Sequence, residues 1–154
     1  MENNQIVIEQ LNRLLKEELT AITQYMVHAE MYEDWGYSKM HKAEEHAAIQ
    51  EMKHAEKLIG RILFLDGIPV VSQMDEIKIG QNVAEIVQND LTLESNAVAL
   101  YNQSIKFVTE AGDHGSKELL DSILKDEEGH IDLFKEQQDQ IEQMGVSQYL
   151  TTIK

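Results

Sequence analysis

Apolar residues recur along this chain at the three-and-four spacing of an α-helix, not at the alternation of a strand. In the first stretch Ile8, Leu11, Leu15, Ile22, Tyr25 and Ala29 fall on one stripe, which predicts a helix from about Gln5 to about Asp34. Gly36 is placed to end it and Ser38 to cap the next. A second helix is expected from about Lys39 to about Leu65, where Asp66-Gly67-Ile68-Pro69 stops it. From Gly67 to Gln81 the helical pattern lapses. A helix–helix turn needs ~2–8 residues. This segment of about 15, extended at ~3.3 Å per residue, would span the length of a bundle. It reads as a crossover that makes the second and third helices parallel. The third helix is expected from about Asn82 to about Ala111. Gly112-Asp113-His114-Gly115 then makes a tight turn, with Ser116 as the next cap. The fourth runs to about Met144, Gly145 ends it, and Ser147 to Ile153 forms a short fifth. The fold class is therefore all-α: a four-helix bundle with one long crossover and a short C-terminal helix, residues 1–154 forming a single domain.

One proline in 154 residues agrees with a helical chain, and the length suits one ordinary domain. There are no cysteines, which excludes disulfides, thiolate zinc sites, iron–sulfur clusters and a catalytic thiol. The start, Met-Glu-Asn-Asn-Gln, lacks the basic-then-apolar pattern of a secretory signal, and no apolar run reaches the ~20 residues that span a bilayer. A cytoplasmic protein is the expectation. The formal net charge is −15. Such a surface disfavours nucleic acid and anionic membrane and favours cations.

Six residues turn that preference into a candidate site. Glu51-Met52-Lys53-His54 and Glu127-Glu128-Gly129-His130 are the two Glu-x-x-His runs, 76 positions apart (51 to 127, 54 to 130). Glu18 and Glu94 keep the same offset. Leu15 pairs likewise with Leu91, Ala21 with Ala97, and Tyr25 with Tyr101, so each helix pair resembles a copy of the other. A carboxylate and an imidazole at i and i+3 share one helix face. One such run is weak evidence, because helices are rich in glutamate. The doubled register is far stronger.

The glutamates also sit where charge is costly. Glu18 lies in the stripe of Leu15, Ile22 and Tyr25, and Glu94 between Leu91, Val98 and Tyr101. Glu127 lies among Ile123, Leu124 and Ile131, and Glu51 among Ala47, Ala48, Ala55 and Leu58. An unpaired inward carboxylate costs several kcal/mol. Two divalent cations would neutralise four carboxylates, and neutral imidazoles would complete the shells. Oxygen donors with one imidazole per ion suit iron or manganese. The expected arrangement places Glu18 and His54 on one ion, Glu94 and His130 on the other, with Glu51 and Glu127 bridging. Tyr25 could reach this site as a hydrogen-bond or electron donor, or be a buried core tyrosine. Gly129 could permit close packing or bending beside the ligands.

On these residues the chain closely resembles the bacterioferritins, the haem-containing ferritin family, over essentially its whole length. Glu51-Met52-Lys53-His54-Ala55, Arg61-Ile62-Leu63-Phe64-Leu65 and Asp126-Glu127-Glu128-Gly129-His130-Ile131-Asp132 carry the likeness. It implies a ferritin-like bundle with a di-iron ferroxidase centre made of Glu18, Glu51, His54, Glu94, Glu127 and His130. It implies iron storage and detoxification, with Fe(II) oxidised by O2 or H2O2 and ferric mineral kept inside a homo-oligomeric shell of twenty-four subunits built from dimers. A reductase or ferredoxin would release the iron.

Met52 matches the family's axial ligand to a b-type haem shared by two subunits, and Met31 could line that pocket. His46 matches an inner-surface iron ligand of some members, but its expected acidic partner is Gln50 here. Leu58 and Leu133 stand where some relatives carry aromatics. Asp34, Asp66, Asp132 and Asp139 match positions lining an iron-entry pore, or are ordinary solvated aspartates. His28, His41 and His114 read as surface or packing residues. The alternatives are a non-storage di-iron oxidase or peroxidase resembling rubrerythrin, which the lack of cysteine opposes, and a metal-free structural bundle.

Overall fold

The structure is a computed structural model that describes the backbone of residues 2–154 and the side chains of residues 4–154. Helix α1 spans Glu2–Trp35, α2 Ser38–Phe64, α3 Val83–Glu110, α4 His114–Met144 and α5 Val146–Leu150. No strand occurs among the described residues. Gly36 takes φ +83° and lets Tyr37 N–H turn back to Tyr32 C=O at 2.9 Å, which closes α1. Two caps differ from the sequence expectation. Ser38 is the first helical residue of α2, and Tyr37 before it makes no side-chain cap. At α4 the cap is Asp113, not Ser116: Asp113 Oδ1 accepts Ser116 N–H at 2.9 Å and the Arg61 guanidinium at 2.8 Å. A carboxylate that can bind a neighbouring arginine at the same time is the better partner.

Contacts fix the directions. Residues 10, 18 and 25 of α1 meet 104, 101 and 94 of α3, so these helices are antiparallel. The three-step turn at Gly36 makes α1 and α2 antiparallel, so α2 and α3 run parallel, as the long crossover requires. Apolar packing brackets the middle of the bundle. One cluster joins Leu11, Leu14, Leu15, Leu58, Ile62, Val108, Leu120 and Ile123. A smaller one joins Ala21, Tyr25, Ala47 and Phe134. Beyond it, Tyr149 of α5 and Ile153 close the far end over Tyr32, Met40, Val83 and Ile86. Each fully buried leucine or isoleucine contributes about 1.5–3 kcal/mol.

The crossover lies along α1 and is held by that helix's polar side chains. Asn12 accepts Val70 N–H and donates to Ile68 C=O. Thr20 accepts Asp75 N–H, Gln24 accepts Lys78 N–H, and His28 Nε2 accepts Gly80 N–H, at 2.9 to 3.1 Å. An extended segment without a sheet partner would otherwise leave these groups unpaired wherever it is buried. At Gly80 the chain passes so close to α3 that a Cβ would stand 2.4 Å from the Ile86 nitrogen. Gly80→Ala should therefore strain the entry to α3 and lower stability by about 1–3 kcal/mol. A thermal melt of the variant against the parent checks this, and an unchanged melting temperature contradicts it.

Candidate metal centre

Each of the four long helices delivers a glutamate to the bundle interior: Glu18 from α1, Glu51 from α2, Glu94 from α3 and Glu127 from α4, all 0–1 % exposed. His54 and His130 follow one turn after Glu51 and Glu127 on the same faces and are nearly as buried. The ligand atoms form two overlapping groups, Glu18–Glu51–His54–Glu127 and Glu51–Glu94–Glu127–His130, each within 4.8 Å throughout. Glu51 and Glu127 belong to both. That is the expected division into two terminal glutamate–histidine pairs and two shared carboxylates.

The spacing suits a cation. His54 Nδ1 lies 2.9, 3.4 and 3.5 Å from oxygens of Glu127, Glu18 and Glu51. His130 Nδ1 lies 3.0, 3.2 and 3.4 Å from oxygens of Glu51, Glu94 and Glu127. Two ligands at right angles, each ~2.1 Å from an ion, are ~3.0 Å apart. One oxygen of every glutamate (Glu18 Oε2, Glu51 Oε1, Glu94 Oε2 and Glu127 Oε2) is fully buried without a hydrogen-bond partner among the described residues. Buried carboxylate oxygens demand compensation, and here four of them converge.

Outer partners set the imidazoles. His54 Nε2 faces Asp126 Oδ2 at 2.9 Å and His130 Nε2 faces Gln50 Oε1 at 2.6 Å. Both are acceptors, so each ring keeps a proton on Nε2, and Nδ1 faces the glutamates: as an N–H donor to their oxygens while no metal is bound, and as the lone pair a cation would take once that proton leaves. Tyrosines do the same for the terminal carboxylates. Tyr25 O–H donates to Glu94 Oε1, and Tyr101 O–H donates to Glu18 Oε1 at 2.8 Å. The 76-residue offset thus extends past the six residues to Tyr25 and Tyr101 and to Gln50 and Asp126. In the sequence Tyr101 appears only as the partner of Tyr25 and a stripe neighbour of Glu94, and Asp126 only within the Asp126–Asp132 motif; the signal for Asp126 as an outer partner is its 76-residue offset from Gln50.

The remaining sequence candidates divide. Tyr25 reaches the site. His46 is exposed, and its neighbour Gln50 is engaged with His130, so the two do not form a pair. Met52 is 45 % exposed and turned away from the centre. It lines a largely apolar groove of about 370 Å³ with Ile22, Met26, Ala29, Ala48 and Ile49. Asp34, Asp66, Asp132 and Asp139 are all exposed. Leu58 is core, and Leu133 is half-buried. A Cβ at Gly129 would meet nothing within 4 Å, so close packing is not what this glycine serves. His41 Nδ1 meets the Ala29 C=O at 2.8 Å and His114 is exposed. His28 is fully buried among carboxylates.

A ferritin-like domain model matches residues 8–144. A bacterioferritin of Brucella melitensis biotype 1 is 43% identical over 143 residues, 93% of this chain and 89% of the relative. That of Rhodobacter capsulatus is 44% identical over 137 residues, 89% and 85% of the two chains. That of Streptomyces coelicolor is 39% identical over 153 residues, 99% and 92%. The chain belongs to the ferritin-like family and, within it, to the bacterioferritins. No helix among the described residues is long and apolar enough to cross a membrane.

Without metal, protons must compensate the charge. Burial, with the charge of Glu51 beside it, pushes Glu18 up to about 8. Burial and Glu94 push Glu51 up to about 7. Burial and Glu127 raise Glu94 well above the carboxylate range. Burial alone would lower His130, but its bonds to Glu127, Glu51 and Glu94 outweigh that and push it up to about 12. Every shift is upward, so the folded state holds more protons than the unfolded one. This contribution to stability is complete below the unfolded values and is lost as pH rises through the folded ones. Chelator-treated protein should lose stability as pH rises above about 4.5, with Glu51 and Glu18 completing their share near pH 7 and 8 and Glu94 and His130 carrying the loss to higher pH. Zinc or cobalt should flatten that slope, because the ion replaces the protons. Denaturation followed across pH with and without metal checks this.

Proposed function

We propose that this chain is an iron-storage ferritin subunit whose buried six-residue centre is a ferroxidase site. Membership of the bacterioferritins supports iron storage. The observation that carries the site is the convergence of four carboxylate oxygens without hydrogen-bond partners on two inward Nδ1 atoms. In this reading Glu18 and His54 hold one ferrous ion, Glu94 and His130 the other, and Glu51 and Glu127 bridge them. A pair of ferrous ions supplies two electrons to O2 or H2O2. The chain's own groups set the conditions. Asp126 and Gln50 keep each imidazole in the binding tautomer. Tyr101 and Tyr25 occupy one oxygen of Glu18 and Glu94, so that the other faces the ion. The apolar clusters on either side exclude water and strengthen each electrostatic contact.

In the same reading residues 1–154 act as one domain in a cytoplasmic shell of twenty-four subunits, and ferric product collects in its cavity. The exposed aspartates Asp34, Asp66, Asp132 and Asp139 attract incoming cations. The Met52 groove, paired with its copy across a dimer twofold, would hold a b-type haem, with Met52 offering its thioether sulfur as a ligand and the apolar lining receiving the macrocycle. Iron release calls for an external electron donor such as a reductase or ferredoxin. A rubrerythrin-like peroxidase shares the carboxylate centre but needs cysteine-ligated iron, which this sequence cannot provide.

Glu18→Ala and His130→Ala should each slow ferrous oxidation more than tenfold, because an ion then loses one of its two terminal ligands. Stopped-flow absorbance of the ferric product measures this, and a parental rate would refute the assigned centre. Gel filtration should place the protein near twenty-four times 17.6 kDa. Met52→Leu should remove the haem Soret band while leaving that elution volume unchanged. A surviving band would mean that another residue holds the haem.

A further inference from the structure

A third buried cluster lies beyond the six-residue centre. His28 of α1, Glu44 of α2 and Asp90 of α3 are 0–2 % exposed, and their ligand atoms lie within 4.8 Å of one another. By residue type this is another carboxylate–imidazole metal site. The hydrogen bonds say otherwise. Gly80 N–H donates to His28 Nε2 at 3.0 Å. A ring nitrogen that accepts carries the lone pair, so the neutral ring bears its proton on Nδ1. That proton meets Asp90 Oδ1 at 2.8 Å, and the same oxygen accepts Gln24 Nε2–H at 3.0 Å. His28 is therefore the reverse of His54 and His130: its free electron pair is taken by a backbone amide, and its N–H points into the cluster. Flipping the ring would break both bonds.

Two oxygens remain without partners among the described residues, Glu44 Oε2 and Asp90 Oδ2. We infer that this cluster is a proton-binding site, with Glu44 held as a neutral acid whose hydroxyl donates to Asp90. One proton satisfies both orphaned groups, and Asp90 then accepts from His28, Gln24 and Glu44. The ionisable groups facing Glu44 are His28 and Tyr32 of α1 and Asp90 and Glu94 of α3. Burial first, then the charge of Asp90, raises Glu44 far above the carboxylate range, which agrees. The consequence is selectivity within one bundle. Arriving cations find two open imidazoles at the six-residue centre and a closed one here. The same network ties the crossover to three helices through Gly80 and Gln24. This inference stands whether or not the six-residue centre is a ferroxidase.

The assembled full-length protein, loaded with zinc, tests it. Anomalous diffraction should show zinc among the six ligands and none among His28, Glu44 and Asp90. Zinc between those three would overturn the proposal. Infrared spectra of the same material should contain a deuterium-sensitive C=O stretch of a protonated carboxylic acid. Glu44→Gln, whose amide can also donate to Asp90, should remove one such band per chain. A wild type without the band, or a variant that keeps it, would overturn the proposal. Should the variant fail to assemble, the zinc map of the wild type decides alone.

Discussion

Four ionisable carboxylates in the middle of an apolar bundle are the constraint around which the rest is arranged. Glu18, Glu51, Glu94 and Glu127 are shut off from solvent between two hydrophobic clusters. Like charges so close repel strongly in a medium less polar than water. Something positive must stand between them, and the choice is protons or metal cations. Upward-shifted carboxyls and the protonated His130 describe the first state. The converging oxygens and Nδ1 atoms describe the second. In the proposed reading the fold exchanges protons for cations, and stability and metal affinity share one origin.

In the proposed reading ring orientation decides where those cations would go. Histidine presents two nitrogens, and whichever one is hydrogen-bonded outward fixes the character of the other. Asp126 and Gln50 accept from His54 and His130, so Nδ1 is the nitrogen of each ring that can give up its proton inside. Gly80 donates to His28, leaving a proton inside. The three buried histidines with carboxylate neighbours therefore divide into two whose inward nitrogen could accept a cation and one whose lone pair is already taken. The internal twofold is also imperfect. Asp126 is anionic where its counterpart Gln50 is neutral. A carboxylate behind His54 makes that imidazole the more basic ligand, so the two halves of the centre are chemically unequal.

The crossover is more than a connection. Its backbone is paired to Asn12, Thr20, Gln24 and His28, a polar line on α1. Gln24 and His28 belong at once to this line and to the proton cluster. Any shift of the crossover would disturb the hydrogen bonds of Asp90, one turn before Glu94 on α3.

The number, order and approximate limits of the helices were written in the chain, because apolar spacing and glycine breaks are local properties. So was the set of six residues that the fold brings together: a 76-residue offset is a count along the sequence, and a glutamate inside an apolar stripe betrays itself by its neighbours. The caps at Tyr37 and Asp113 were not, since the choice between adjacent polar residues turns on partners such as Arg61 that lie far away in sequence. Nor were the roles of Tyr101 and Asp126, which depend on contacts between helices. His28 shows the limit most plainly. Sequence gave it no distinction from any packing histidine. What it binds is decided by one amide, that of Gly80, fifty-two positions later. Tautomer is a property of three-dimensional partners, and only the folded chain brings them together.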